Sequence, residues 1–293
     1  DLEIIRSPCL HAIGIDYAAY FGLKSNEILQ HEVAPIVAMA PNLKHVRFRF
    51  LRASSNDKVA LTNQEWKDFA SSINPSPSSN LTSVSFFETK PVFKESTLLK
   101  WGQLVGLSHL RSLDIDRIRY PLQIEKALSN MTDLERLFIN VCPTPPLEPT
   151  VFMEGLKSIF NHLKPLKYLC IRALDEVSLL DDILTRHGQS LHGLMIEPAR
   201  RSAMVTRGDS RGYLRYPRFN PVDIERLAES CPHLEELRIP IQRSKGDHEE
   251  CRSYMALGNL PELRSLILDL GCNPPQIPHA FDILAFKRAL IDA

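Results

Sequence analysis

Gly208-Asp209-Ser210-Arg211-Gly212 has the G-x-S-x-G spacing in which a serine hydroxyl becomes an attacking nucleophile. That chemistry needs a buried strand before the serine and a helix after it, whereas this stretch sits among arginines and runs into Tyr216-Pro217. Gly188 and Gly193 have phosphate-loop spacing, but Leu194-Met195 stands where a lysine and a hydroxyl should meet phosphate and magnesium. His31-Glu32 and His248-Glu249 begin like a zinc-protease helix, yet neither has the second histidine four residues after the first. Arg207-Gly208-Asp209 spells an adhesion tripeptide, and Asn80-Leu81-Thr82 and Asn130-Met131-Thr132 spell glycosylation sequons. These matter only in a secreted protein, and no secretory feature accompanies them. Cys9, Cys142, Cys170, Cys231, Cys251 and Cys272 form no Cys-x-x-Cys pair, so they are expected to be free thiols in a reducing compartment. The residues therefore point away from catalysis, with no metal and no cofactor expected.

What would position a functional surface instead is a recurring phrase: Leu, two residues, apolar, one residue, apolar. It occurs at Leu10/Ile13/Ile15, Leu43/Val46/Phe48, Leu81/Val84/Phe86, Leu110/Leu113/Ile115, Leu134/Leu137/Ile139, Leu166/Leu169/Ile171, Leu191/Leu194/Ile196, Leu234/Leu237/Ile239 and Leu263/Leu266/Leu268. Its alternation suits a short strand that turns every second side chain into a core. A chain with 41 leucines produces roughly four such matches by chance, so their regular spacing carries more weight than their number. Successive phrases start 33, 38, 29, 24, 32, 25, 43 and 29 residues apart. A tenth match, Leu174/Val177/Leu179, is out of step and reads as the start of a helix.

Helical periodicity fills the intervals, as a strand-helix repeat requires to bring the chain back to the next parallel strand. Helices are expected from Ser25 through Val37, kinked at Pro35, and after the capping spacing of Thr62-Asn63-Gln64-Glu65, with Trp66, Phe69 and Ile73 buried. Others are expected over residues 95 to 106, 122 to 130, 150 to 163 and 176 to 187, the last closed by a left-handed Gly188. Asn220-Pro221 starts a further helix whose apolar face, Ile224, Leu227, Ala228 and Cys231, places that cysteine in the core. Residues 279 to 293 read as a last amphipathic helix that caps the stack. The longest step is filled by a basic insertion near residues 198 to 219, containing Arg200, Arg201, Arg207, Arg211, Arg215 and Arg218. Its ordinary reading is a solvated segment; the sharper one is a site for an acidic or phosphorylated peptide, since arginine holds phosphate through paired hydrogen bonds.

Composition agrees with one stacked domain spanning residues 1 to 293. A chain of 293 residues, 44% hydrophobic, can bury about three quarters of its unfolded surface. Thirty-five basic and 35 acidic residues cancel, which argues against a chain built mainly to neutralise phosphate, so nucleic acid is not an expected partner. No apolar run is long enough to span a membrane, so a soluble protein of the cytoplasm or nucleus is expected. Without an initiator Met, and beginning almost inside a repeat, the chain is expected to be a piece of a longer protein.

Side chains between and after the last two apolar positions of each phrase should line the inner face. They read Gly14/Asp16, Arg47/Arg49, Ser85/Phe87, Asp114/Asp116, Phe138/Asn140, Cys170/Arg172, Met195/Glu197, Arg238/Pro240 and Ile267/Asp269. From this set Arg47, Arg49, Phe87, Asp114, Asp116, Phe138, Asn140, Arg172, Met195, Glu197, Arg238 and Asp269 are the candidate partner-binding residues, because aromatics and arginines carry most binding energy.

The phrases Pro41-Asn42-Leu43-Lys44-His45-Val46, Leu134-Glu135-Arg136-Leu137, Cys231-Pro232-His233-Leu234-Glu235-Glu236-Leu237-Arg238-Ile239 and Pro261-Glu262-Leu263-Arg264-Ser265-Leu266 resemble the leucine-rich-repeat half of fungal F-box proteins. The resemblance implies an α/β leucine-rich-repeat solenoid of about nine irregular repeats: a right-handed horseshoe with parallel strands inside and helices outside. It also implies a protein target held on the concave face, with a ubiquitin-ligase subunit joined through an F-box outside these residues. The alternative is a ligase-independent scaffold or inhibitor using the same face.

Overall fold

The structure of the protein is a computed structural model, and it describes residues 2–19, 34–35, 37–52, 80–87, 95–115, 118, 120–141, 148–174, 177–197, 217, 219–244 and 246–272. All nine phrases lead into strands: β1 Ala12–Ala19, β2 His45–Arg52, β3 Ser83–Phe87, β4 Ser112–Ile115, β5 Arg136–Asn140, β6 Tyr168–Arg172, β7 Gly193–Glu197, β8 Glu236–Arg243 and β9 Ser265–Cys272. These form a single open parallel sheet in chain order. Helices α1 Leu2–Ile5, α2 Glu95–Leu104, α3 Pro121–Ser129, α4 Pro149–His162, α5 Leu179–His187, α6 Pro221–Ser230 and α7 His248–Leu257 are described, with α2 to α7 filling the intervals between β3 and β9. The result is a solenoid-like α/β fold. Among the described residues, no helix is long and apolar enough to cross a membrane.

Each rung attaches to the next in the same way. The carbonyl of Thr82 accepts from the N–H groups of Arg111 and Ser112, that of Arg111 from Glu135 and Arg136, that of Glu135 from Lys167 and Tyr168, and that of Lys167 from His192 and Gly193. The shared acceptor sets a constant register, which pairs Leu113 with Leu137, Leu137 with Leu169, and Leu169 with Leu194. A one-residue slip would turn every core side chain to the other face, so the apolar pattern itself selects this register.

The core lies between the sheet and the helices. Leu110, Leu134, Leu166, Leu191 and Leu234, which open five phrases, are buried, as are Leu113, Leu137, Leu169, Leu194 and Leu237 behind them. Helix residues complete the packing, among them Trp101 of α2, Phe160 of α4 and Ile183 of α5. Phe48 and Phe86 stack with ring centres 5.3 Å apart, and each meets the Trp101 ring edge-on at 5.5 Å. Burying one such side chain contributes about 1.5–3 kcal/mol. Cys231 is buried, and burial pushes its thiol up to about 12, so it is a core residue as expected.

Helix starts and stops show the local physics. Asn220 caps α6 by accepting from the Asp223 N–H at 3.0 Å, while the Asp223 carboxylate accepts from the Asn220 N–H at 2.9 Å. The expected left-handed close of α5 is corrected: Gly188 has φ −49° and ψ −48° and leads into a 3-10 turn, Gly188–Ser190. Glycine is required there for closeness, since a Cβ would stand 2.6 Å from the Ser230 carbonyl oxygen. Left-handed glycines stand instead at Gly106, φ 75°, just after α2, and at Gly246, φ 81°, just before α7. The expected helix at 176 to 187 starts later, at Leu179, the last residue of the out-of-step phrase. The helices expected after Thr62 and over 279 to 293, and most of that after Ser25, lie outside the described residues.

Candidate functional site: the sheet face opposite α2 to α7

Alternation sends one set of strand side chains into the core and the other to the face that α2 to α7 do not occupy. The register aligns the second set into a row across the whole sheet: Gly14, Arg47, Ser85, Asp114, Phe138, Cys170, Met195, Arg238 and Ile267. Arg47 and Ile267, toward the ends, are exposed, whereas Asp114, Phe138, Met195 and Arg238 are half-buried. Asn140, Arg172, Glu197 and Asp269 stand two residues further along their strands and are also half-buried. Arg49 lies in β2 and Phe87 in β3; their side chains, Asp116, and the six arginines of the basic insertion lie outside the described residues. Phe219, at the distal boundary of that insertion, is buried in the core.

Four of the charged candidates, Arg172, Glu197, Arg238 and Asp269, are joined by a ladder of ion pairs across four strands. Arg172 Nε donates to Glu197 Oε2 at 2.7 Å, and Arg238 Nη1 donates to Glu197 Oε1 at 2.6 Å. Arg238 also grips Asp269 with two bonds, from Nε to Oδ2 at 2.9 Å and from Nη2 to Oδ1 at 3.1 Å. The Asp269 hydrogen bond holds the Arg238 guanidinium above its usual range. Such a fork geometry is the stronger kind of charge-assisted hydrogen bond. Farther along, Ser85 Oγ donates to Asp114 Oδ2 at 3.0 Å. Cys170, between Phe138 and Met195, is buried even on this face. Burial first, and Glu197 second, push its thiol up to about 12, so it stays protonated and unreactive.

A second feature was missed by reading only two open-face positions per phrase. The same alternation also brings out the residue two before the row, and the register places Arg136 beside Tyr168 and Tyr168 beside Gly193. The Arg136 guanidinium lies 4.3 Å over the Tyr168 ring. From Tyr168 the rings continue to His192 at 6.4 Å and His233 at 6.3 Å, and His233 Nδ1 reaches Glu262 at 3.5 Å. Tyr168 covers Gly193, where a Cβ would come within 2.6 Å of the ring. Thus Gly188 and Gly193, which share phosphate-loop spacing, both serve close packing. An aromatic residue opposite a strand glycine was the available signal.

Among the described residues, no group of three or more histidine, cysteine, aspartate or glutamate side chains is placed to hold a metal ion. The arrangement is a patterned surface: two half-buried apolar side chains flanked by the Ser85–Asp114 hydrogen bond on one side and an alternating charge ladder on the other. The chain matches no protein-family model and no curated protein.

Proposed function

We propose that this chain is a leucine-rich-repeat domain that captures a protein target on the sheet face opposite α2 to α7, as the substrate-recognition part of an F-box-type ubiquitin-ligase adaptor acting in the cytoplasm or nucleus. The observation that supports target capture is the alignment of Phe138 and Met195 in one row, half-buried and bordered by Asp114 and Arg238. Apolar side chains ringed by oriented charges are the anatomy of a binding hot spot. The link to a ligase rests on the resemblance of the repeat phrases to fungal F-box proteins.

A pull-down of the full-length protein from cells tests both parts. The target is expected to be lost from Phe138→Asp and Met195→Asp, while ligase subunits remain with both variants. Retention of every partner by both variants overturns the placement of the target site. Capture of a target without ligase subunits replaces the adaptor reading with a ligase-independent scaffold.

A further inference from the structure

The arginines of the open face are of two kinds. Arg172 and Arg238 are held by the carboxylates of Glu197 and Asp269. Arg136 is exposed and lies over the Tyr168 ring, and among the described residues its guanidinium meets no carboxylate. The acids in the turn that leads into β5 are already taken: Asp133 pairs with His109 Nδ1 at 3.0 Å and Glu135 with Lys167 Nζ at 3.0 Å. Arg111, whose carbonyl accepts from the Arg136 N–H, is a second exposed cation beside it. The segments that enter β4, β5, β6 and β7, residues 105–112, 131–136, 163–168 and 188–193, are all described, so this surplus of positive charge belongs to the rim itself.

Stacking engages the flat face of a guanidinium and leaves the N–H groups along its edge to donate elsewhere. The Tyr168 ring also fixes the Arg136 side chain, so less conformational freedom is lost when an anion is gripped. Phe138 stands two positions along β5 on the same face, about 6.6 Å away at 3.3 Å per residue. We infer that Arg136 is a specificity-determining residue of the target site. It takes a side-chain carboxylate of the target, an aspartate or glutamate two residues from the apolar side chain that covers Phe138 in an extended segment. This rests on the target-capture reading and adds the target's chemistry to it. A planar carboxylate matches two parallel N–H groups of the guanidinium edge, a pairing that the ladder already shows between Arg238 and Asp269. The face over β7 to β9 makes no such demand on a target, because Glu197, Arg238 and Asp269 neutralise one another.

Selection by the full chain from a phage library of random, unphosphorylated peptides tests this. Peptides whose binding is lost in Phe138→Asp are expected to carry an aspartate or glutamate two residues from an apolar one. Selection by Arg136→Gln should lose the acidic preference and keep the apolar one. For a selected peptide, changing the acidic residue to its amide should weaken binding to the unsubstituted chain roughly tenfold, and should weaken binding to Arg136→Gln no further. The peptide change reads the same contact without altering the protein. Lys164→Gln removes another exposed cation from the same rim and should leave peptide affinity unchanged. An acidic preference that survives Arg136→Gln, an equal loss in Lys164→Gln, or Phe138-dependent peptides without an acidic residue overturns the inference and leaves target capture in place. Binding that requires phosphoserine at the acidic position also overturns it, in favour of a phosphorylated target. Recovery of no Phe138-dependent peptide overturns the target face and this inference together.

Discussion

The two faces of this sheet are made by the same nine strands and differ in almost every other respect. Leu137 and Ile139 of β5 point into the core and are almost wholly inaccessible, while Phe138 and Asn140 between them are half-buried on the open side. On the core face neighbouring rungs repeat the same chemistry, Leu113, Leu137, Leu169 and Leu194 in register. On the open face the same step from rung to rung passes through Asp114, Phe138, Cys170 and Met195. Close packing tolerates only apolar groups of fitting volume on one side, so stability constrains that side, and the other is left able to carry recognition.

The largest effect should come from the core face. Trp101→Ala removes the ring against which Phe48 and Phe86 both pack, and is expected to cost about 3–5 kcal/mol in urea unfolding. A change below about 1 kcal/mol would mean that the core is not continuous between α2 and these strands.

Next comes a buried titratable group on the same side. His187 accepts from the Leu166 N–H through Nδ1 at 3.2 Å and donates through Nε2 to the Phe160 carbonyl at 3.0 Å, so the neutral ring is the fitted form. Burial pulls its pKa from 6.5 down to about 4. The unfolded chain therefore takes up a proton that the folded chain refuses as pH falls below 6.5, and stability should decline by about 3 kcal/mol by pH 4. Glu250 acts in the same direction farther down. Its carboxylate accepts from the Ser244 and Gly246 N–H groups and the Tyr254 hydroxyl, which hold it at about 2, so its stabilisation is lost between pH 4.5 and 2. Urea midpoints measured from pH 7 to 4 should lose most of their slope in His187→Asn; an unchanged slope would assign the acid sensitivity elsewhere.

The open face should respond more weakly in stability. Arg238→Ala leaves Glu197 with Arg172 alone and Asp269 without its fork, an expected cost of about 1–2 kcal/mol between the surface and buried limits for ion pairs. That cost should shrink in 1 M salt, at roughly a 3 Å screening length; salt independence would show the ladder to be sealed from solvent. Phe138→Asp should change the unfolding free energy least, by about 1 kcal/mol or less, while abolishing target capture. A destabilisation comparable to Trp101→Ala would move Phe138 to the structural side of the comparison.

Much of the architecture was legible in the chain itself. Every one of the nine phrases precedes or enters a strand, and Asn220-Pro221 marks a helix start with both capping bonds formed. Both signals are local: alternation and capping involve residues within a few positions of one another. Local reading failed where the reason for a residue lay on another rung. Gly188 is a glycine because the Ser230 carbonyl comes from the end of α6, 42 residues later, and Gly193 because Tyr168 lies over it. Cys170 belongs by alternation to the open face and is nevertheless buried by its neighbours. The helix α7 and its Glu250 anchor have a short, polar pattern that periodicity did not single out.

Order along the chain was enough to choose a repeating strand-helix architecture and to sort each strand's side chains into two faces, because period-two alternation is a property of adjacent residues. Which side chains from different rungs meet was decided only when the sheet assembled. Strands about 4.8 Å apart in a shared register bring together residues that are 25 to 41 positions distant in sequence, such as Arg172 with Glu197 and Glu197 with Arg238. The ion-pair ladder and the rings over Gly193 are products of that register.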